Sequence, residues 1–339
     1  MVTAPPGAGD DPQLRALTTL AGWRQFAGEV PAVPQLLDPG VWQDLDPGKR
    51  AAYDDDRIAH HSRLLIVQTP AVRDVVTTGR RLAHMNRSAH YGRSGLIVSG
   101  PARTGKTTAI TQLGKTIEVI HRRRYPRCGD DIPVVYITVP PAATPRMIAA
   151  EFARFLGIPL TQRANITDII DAACGVCADA RTSVVCVDEI HNLNIATRAG
   201  GEASDTLKYF SERIPATFVL SGISVERAGP RGEQIAGRYS MVRTGPFPRD
   251  DQWATLVAAL EGSLRLHRHQ PGSLPRMAPY LHERTGGMIG SLLWLVRSAA
   301  IQAVIDGTEQ VTRKSMEALP VDIASRDGNR HPARSHGRP

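Results

Sequence analysis

Eight residues, GPARTGKT from Gly100 to Thr107, constrain this chain more than any other feature. They fit the pattern G-x-x-x-x-G-K-[ST], and their surroundings fit too. The short apolar run "SGLIVSG" leads in and reads as a strand, and "TTAITQLGKTIEVIHRR" leads out and reads as a helix. Glycine lets the backbone wrap closely around a phosphate, loop N–H groups turn inward, and the helix N-terminus adds positive potential. Gly100, Pro101, Ala102, Arg103, Thr104, Gly105, Lys106, Thr107 and Thr108 are therefore the candidate binding residues. Lys106 is expected to reach the β- and γ-phosphates of ATP, and the Thr107 hydroxyl to ligate Mg²⁺. Lysine is scarce here, occurring only at positions 49, 106, 115, 208 and 314. One of the few occupies the place where a compact point charge suits phosphate better than a planar fork.

A second stretch, "VVCVDEIHNL", puts Asp188 and Glu189 at the end of an apolar run. Ligands of open α/β sheets bind beyond the carboxyl ends of the strands. Asp188 is expected to hold the Mg²⁺ and Glu189 to polarise an attacking water. Alone, the pair is equally explained as an acidic helix start favoured by the macrodipole. Paired with the upstream loop, it points to hydrolysis, because binding a nucleotide does not require Glu189.

The remaining apolar runs, "IPVVYITVP", "TSVVCVDE", "ATFVLSGI" and "YSMVRTGPF", are separated by helical patterns. Strands alternating with helices imply an α/β fold with a parallel sheet covered on both faces. After Pro248 the strand signals stop and apolar residues recur at helical spacing. The expected organisation is an N-terminal helical extension over 1–93 with a disordered start, a nucleotide-binding core over 94–248, a small helical lid over 249–320 and a disordered basic tail over 321–339.

Composition narrows the partners. The 41 basic residues outnumber 33 acidic ones, giving a net charge of +8 that favours a polyanion. "HRRRYPR" is the densest basic cluster, which makes Arg122, Arg123 and Arg124 candidate nucleic-acid contacts; "GRRLAHMNR" and the tail are others. No helix-turn-helix, zinc-finger or RNP signature is visible, so base-specific reading is not expected. No run approaches the roughly 18 apolar residues of a membrane span. The first residues carry neither a basic n-region nor an apolar h-region, so a cytoplasmic protein is expected. Cys174 and Cys177 form a lone C-x-x-C in a helical pattern and read as small residues on a helix face.

Taken together, the motifs resemble those of AAA+ ATPases, and more narrowly the TniB and TnsC group of transposition ATPases, over about Arg57 to Leu319. "VDEIHNL", "SDTLKYFSERIPATFVLSGI", "QIAGRYSMVRTGPF" and "LHERTGGMIGSLLWLVRSAAIQAVIDG" carry the resemblance. It implies a core sheet of order 5-1-4-3-2 followed by the helical lid. It further implies ATP and Mg²⁺ as cofactors, and a homo-oligomer, ring or helical filament, on double-stranded DNA. The assembly would select a target for a partner transposase, with a TniQ-like protein as a further partner and slow hydrolysis stimulated by assembly or DNA. Ser221 falls at the sensor 1 position, although a serine closing a strand explains it equally. Arg238 matches the arginine finger acting in trans, with Arg231 as the fallback. The pattern departs at sensor 2: "GGMIGS" carries no arginine, and Arg284 and Arg297 flank it out of register. An AAA+ switch of the origin-recognition or clamp-loader type, or a nucleotide-sensing signalling ATPase, is the alternative.

Overall fold

Each apolar run becomes a strand: β1 Gly95–Ser99, β2 Val134–Thr138, β3 Val184–Asp188, β4 Thr217–Gly222 and β5 Tyr239–Arg243. The computed structural model describes residues 16–63, 66–161, 164–225 and 237–320. All the strands pair in parallel, in the order β2-β3-β4-β1-β5. This is the expected order 5-1-4-3-2 read from the other edge. Every residue of β1, β3 and β4 is buried, which is why their sequences run apolar without alternation. Edge strand β5 is only half covered and mixes polar with apolar residues.

The helices are α1 Leu20–Gly28, α2 Pro39–Gln43, α3 Pro47–Ser62, α4 Pro70–Asn86, α5 Lys106–Arg124, α6 Pro145–Leu156, α7 Ile166–Asp179 and α8 Arg198–Arg213, followed by α9 Asp251–Gly262, α10 Ser273–Arg276, α11 Ala278–Thr285, α12 Ile289–Ile305 and α13 Arg313–Glu317. A 3₁₀ turn, Ile190–Asn192, follows β3. Local chemistry sets several starts. The hydroxyls of Thr144 and Thr197 and the side chain of Asn165 accept from the amides of Met147, Gly200 and Asp168, capping α6, α8 and α7. Helix α6 ends at Gly157, whose φ of 71° suits a residue without Cβ.

The chain divides into two compact units. The first holds residues 16–29, Pro70–Pro101 and Lys106–Thr244, which means the sheet with α1 and α4–α8. Trp23 of α1 is fully buried, stacks on Tyr136 at 5.8 Å between centroids, and donates through Nε1 to Glu118 Oε2 at 3.3 Å. A Cβ on Gly114 would come within 2.5 Å of the Trp23 ring, so α1 lies closely on α5. Asn86, closing α4, donates to Ser94 O at 2.7 Å and to Thr217 Oγ1 at 2.8 Å, fixing the helix end to the amino ends of β1 and β4.

The second unit holds Val30–Thr69, Ala102–Gly105 and residues 245–320. The N-terminal stretch is therefore shared, with Val30–Thr69 folding against the C-terminal helices rather than forming one extension. The reason is a buried ion pair. Arg57 of α3, with no exposed surface, donates to Glu309 Oε2 at 2.6 Å and Oε1 at 2.8 Å. Glu309 also accepts from the His267 amide at 3.1 Å, so the carboxylate is satisfied on several sides. Around this pair α3 packs on α12, and Trp253 of α9 donates to Ala278 O at 2.8 Å. No single helix among the described residues is long and apolar enough to cross a membrane. The expected disorder at the start and in the tail concerns residues outside those described.

Candidate nucleotide site

The phosphate loop starts where β1 stops. The Gly100 amide donates to Gly222 O at 3.3 Å, and a Cβ on Gly100 would lie 2.2 Å from Thr244 O. Only glycine lets the loop leave the sheet there. The loop then turns left-handed at Arg103, φ 61°, and at Gly105, φ 88°. Its tip, Ala102–Gly105, clusters with the second unit, in which Arg103 O accepts from the Gly290 amide at 2.9 Å. A Cβ on Gly290 would meet Arg103 Cβ at 2.9 Å, so the absent side chain at this position is a packing requirement. Helix α5 begins at Lys106, and its first-turn amides have no partner within the helix.

Lys106 is buried and donates through Nζ to Pro101 O at 2.7 Å. Burial pushes its ammonium below the usual lysine range, while the carboxylates of Glu189 and Asp188 pull it back up. Thr107 Oγ1 donates to Asp188 Oδ2 at 2.7 Å. Asp188, at the carboxyl end of β3 and almost fully buried, also accepts from Tyr136 OH at 3.0 Å and, on Oδ1, from the Glu189 amide at 2.9 Å. The Tyr136 hydroxyl is held in its neutral form, first by burial and then by the neighbouring Asp188 charge. It can therefore act only as a donor towards that carboxylate. Glu189 adopts a left-handed backbone, φ 56°, and leaves its side chain 42% exposed, with Oε2 3.2 Å from His191 Nδ1. Ser221 lies on β4 opposite Val98 of β1; its Oγ is buried and has no partner among the described residues.

These groups fit a magnesium nucleotide. Mg²⁺ favours hard oxygen ligands, takes one or two from protein and completes its shell with phosphate and water. Thr107 and Asp188 offer one hydroxyl and one carboxylate at hydrogen-bond distance, and no group of three or more metal-ligating side chains competes among the described residues. A buried hydroxyl left unbonded costs about 1–3 kcal/mol, a cost that a site for a polar ligand explains.

The structure thus brings Lys106, Thr107, Asp188, Glu189 and Ser221 to one end of the sheet. Arg238 lies elsewhere. It is exposed at the amino end of β5, its carbonyl accepting from the Gly95 amide at 3.0 Å, about 15 Å of strand from the end that carries its own phosphate loop. It borders a pocket of about 340 Å³ shared with Arg93, Lys208 and Tyr239. Arg231 lies outside the described residues. In the basic cluster, Arg122 is engaged with Glu118 Oε1 at 2.9 Å, Cys128 O at 2.8 Å and Asp131 O at 2.7 Å, whereas Arg123 and Arg124 are exposed. Arg284 donates to Met316 O at 3.0 Å and Leu319 O at 2.9 Å, and Arg297 to the carbonyls of His61 and Ser62, so both flanking arginines are used inside the second unit. Cys174 and Cys177 are buried in the core, where burial raises the Cys177 thiol to about 12.

Tyr136 and His191 join the site only through the fold. Tyr136 faces Asp188 across a strand pair 52 residues apart in the chain, so only the register reveals it. His191 had a weaker signal, standing two residues after Glu189 in the quoted "DEIHNL".

A five-stranded parallel sheet of this order, with a phosphate loop after β1 and an acid pair after β3, is the AAA+ fold of the phosphate-loop NTPases. A family model described as "AAA domain" matches residues 89–227. No curated protein matches the sequence. Among solved structures, the ORC2 protein of Aeropyrum pernix, in ADPNP and ADP complexes, is similar with a TM-score of 0.59 and 15% identity, over 77% of this chain and 70% of that one. The ORC1 protein of the same organism, in complex with DNA, gives 0.57 and 16% identity over 76% of this chain and 65% of that one. Drosophila ORC bound to DNA gives 0.55 and 14% identity over 87% and 71%.

Proposed function

We propose that this chain is an ATPase that binds Mg²⁺ and ATP at the phosphate loop, assembles in copies on double-stranded DNA, and marks a target there for a partner transposase. The observation that carries the nucleotide chemistry is the 2.7 Å bond between Thr107 and Asp188 beside buried Lys106. In this reading Lys106 neutralises charge on the β- and γ-phosphates, Thr107 and Asp188 hold the Mg²⁺, Glu189 orients water and Ser221 offers its unbonded hydroxyl as sensor 1. The bound magnesium nucleotide supplies the transferable phosphoryl group. Arg238 serves a neighbouring copy, which its place at the far end of the sheet from its own loop supports. The net charge of +8 and the DNA complexes of the ORC relatives support a DNA partner, with Arg123 and Arg124 as exposed phosphate contacts. The transposition role, with a transposase and a TniQ-like protein as partners, rests on the "DEIHNL" and "TGGMIG" resemblance.

An origin-recognition type of switch is the second reading, favoured by the similarity to the ORC structures. ATP turnover with and without duplex DNA, across a salt series, tests both. DNA-stimulated turnover that vanishes in Lys106→Ala, and DNA binding with a flatter salt dependence in Arg123→Glu/Arg124→Glu, are the expected results. DNA-indifferent turnover would sink the DNA reading. Retention of a purified transposase on the ATP-bound DNA complex separates the transposition role from the origin-type switch.

A further inference from the structure

The Nδ1 atom of His191 stands 3.2 Å from Glu189 Oε2 and 3.4 Å from the amide nitrogen of Ile223. These contacts make opposite demands. A carboxylate only accepts and an amide N–H only donates, while one imidazole nitrogen carries either a proton or a lone pair. Nδ1 therefore serves Glu189 when it bears the proton and Ile223 when it does not, and never both at once.

The backbone around the ring is fixed. Asn192, next along the 3₁₀ turn, donates to Val139 O at 2.8 Å beyond the end of β2. On the other side a Cβ on Gly222 would lie 2.9 Å from Ile190 Cγ2 and 3.1 Å from the His191 backbone nitrogen, so the end of β4 presses directly on the turn. The alternation is therefore one of hydrogen position rather than ring position. Its two ends are consequential. Glu189 is the residue read as orienting water, and its Oε2 lies at ion-pair distance from the His191 ring. Ile223 is two residues beyond Ser221, the orphan hydroxyl of the same site.

We propose that His191 is a positioning residue that couples Glu189 to the exit of β4. With the proton on Nδ1 it donates to Glu189 and holds the carboxylate in one orientation. With the proton on Nε2 it releases Glu189 and accepts from the Ile223 amide instead. The ring is 29% exposed, so water can carry the proton between its nitrogens. Loss of the imidazole leaves a flexible carboxylate on a strained backbone, which slows turnover without touching the groups that grip phosphate.

This inference rests on the hydrolytic reading above, and the experiment separates the two. ATP turnover under assembling conditions is measured beside titration with a fluorescent ATP analogue, for the parent protein, His191→Ala and His191→Asn. An asparagine amide hangs from Cγ as Nδ1 does and carries a donor and an acceptor there, so it can meet either demand. The expected result is a kcat about tenfold or more lower in His191→Ala, the scale of a weakened general base, with nucleotide affinity unchanged and turnover largely restored in His191→Asn. Parental turnover in His191→Ala overturns the proposal. So does a loss of nucleotide affinity in both variants, which marks a purely structural role. A parent protein that binds nucleotide yet never turns it over removes the hydrolytic reading itself, and this inference with it, before any variant is made.

Discussion

Ser221 offers a way to tell a ligand-directed hydroxyl from a structural one. Its oxygen bonds to nothing among the described residues, so the fold loses no hydrogen bond when it is removed. Ser221→Ala is expected to leave the nucleotide-free protein as stable as the parent, or more stable by about 1 kcal/mol, while lowering ATP turnover. Scanning fluorimetry beside a turnover assay checks this; a drop in melting temperature would mean the hydroxyl has a partner in the resting fold. The reactive residues that sequence made legible share one property, that local spacing defines them. Gly100, Gly105, Lys106 and Thr107 lie within eight positions, and Asp188 and Glu189 are adjacent. Tyr136 and the occupied guanidinium of Arg122 were not legible, because their roles are fixed by carbonyls and carboxylates that only the folded chain brings near.

Helix α3 shows what a period cannot say. Its sequence marks it as a helix, but nothing in the spacing tells which body it joins. The same helix carries His61, buried beneath Arg297 contacts and accepting from the Arg265 amide at 3.3 Å. Burial, then the neighbouring His60 charge, lowers this imidazole from 6.5 to about 4. The unfolded chain takes up the proton near pH 6.5 and the folded chain only near 4. Between those values the unfolded state binds more protons, so stability is intact above the upper value and falls as pH drops towards the lower. The shift amounts to a loss on the order of 3 kcal/mol. Urea unfolding of the parent and of His61→Gln at a series of pH values measures it; an equally steep fall in the variant would place the effect elsewhere.

At the scale of the whole molecule, the role proposed for Arg238 would make assembly part of the chemistry. If its guanidinium completes a neighbour's site, then Arg238→Ala and Glu189→Gln proteins are each inactive, but a mixture recovers a substantial fraction of parental turnover. In such a mixture an intact Glu189 in one copy meets an intact Arg238 from the next. A finger is worth about 10³ or more in rate, so recovery stands well above background; its absence would put the arginine outside the reaction. The sheet order followed from the AAA+ resemblance, whereas the division into two units was not legible, since the contacts that make it, Arg57 with Glu309 among them, lie as far as 252 positions apart. That distance has a consequence on the ribosome. At about 5–20 residues per second, α3 emerges roughly 13–50 s before Glu309, the buried one of its arginine's two carboxylate partners, exists. Until then Asp54, one turn back on the same helix, is the carboxylate at hand, and a nascent chain interrupted before residue 309 carries Arg57 without the fully buried partner of its folded state.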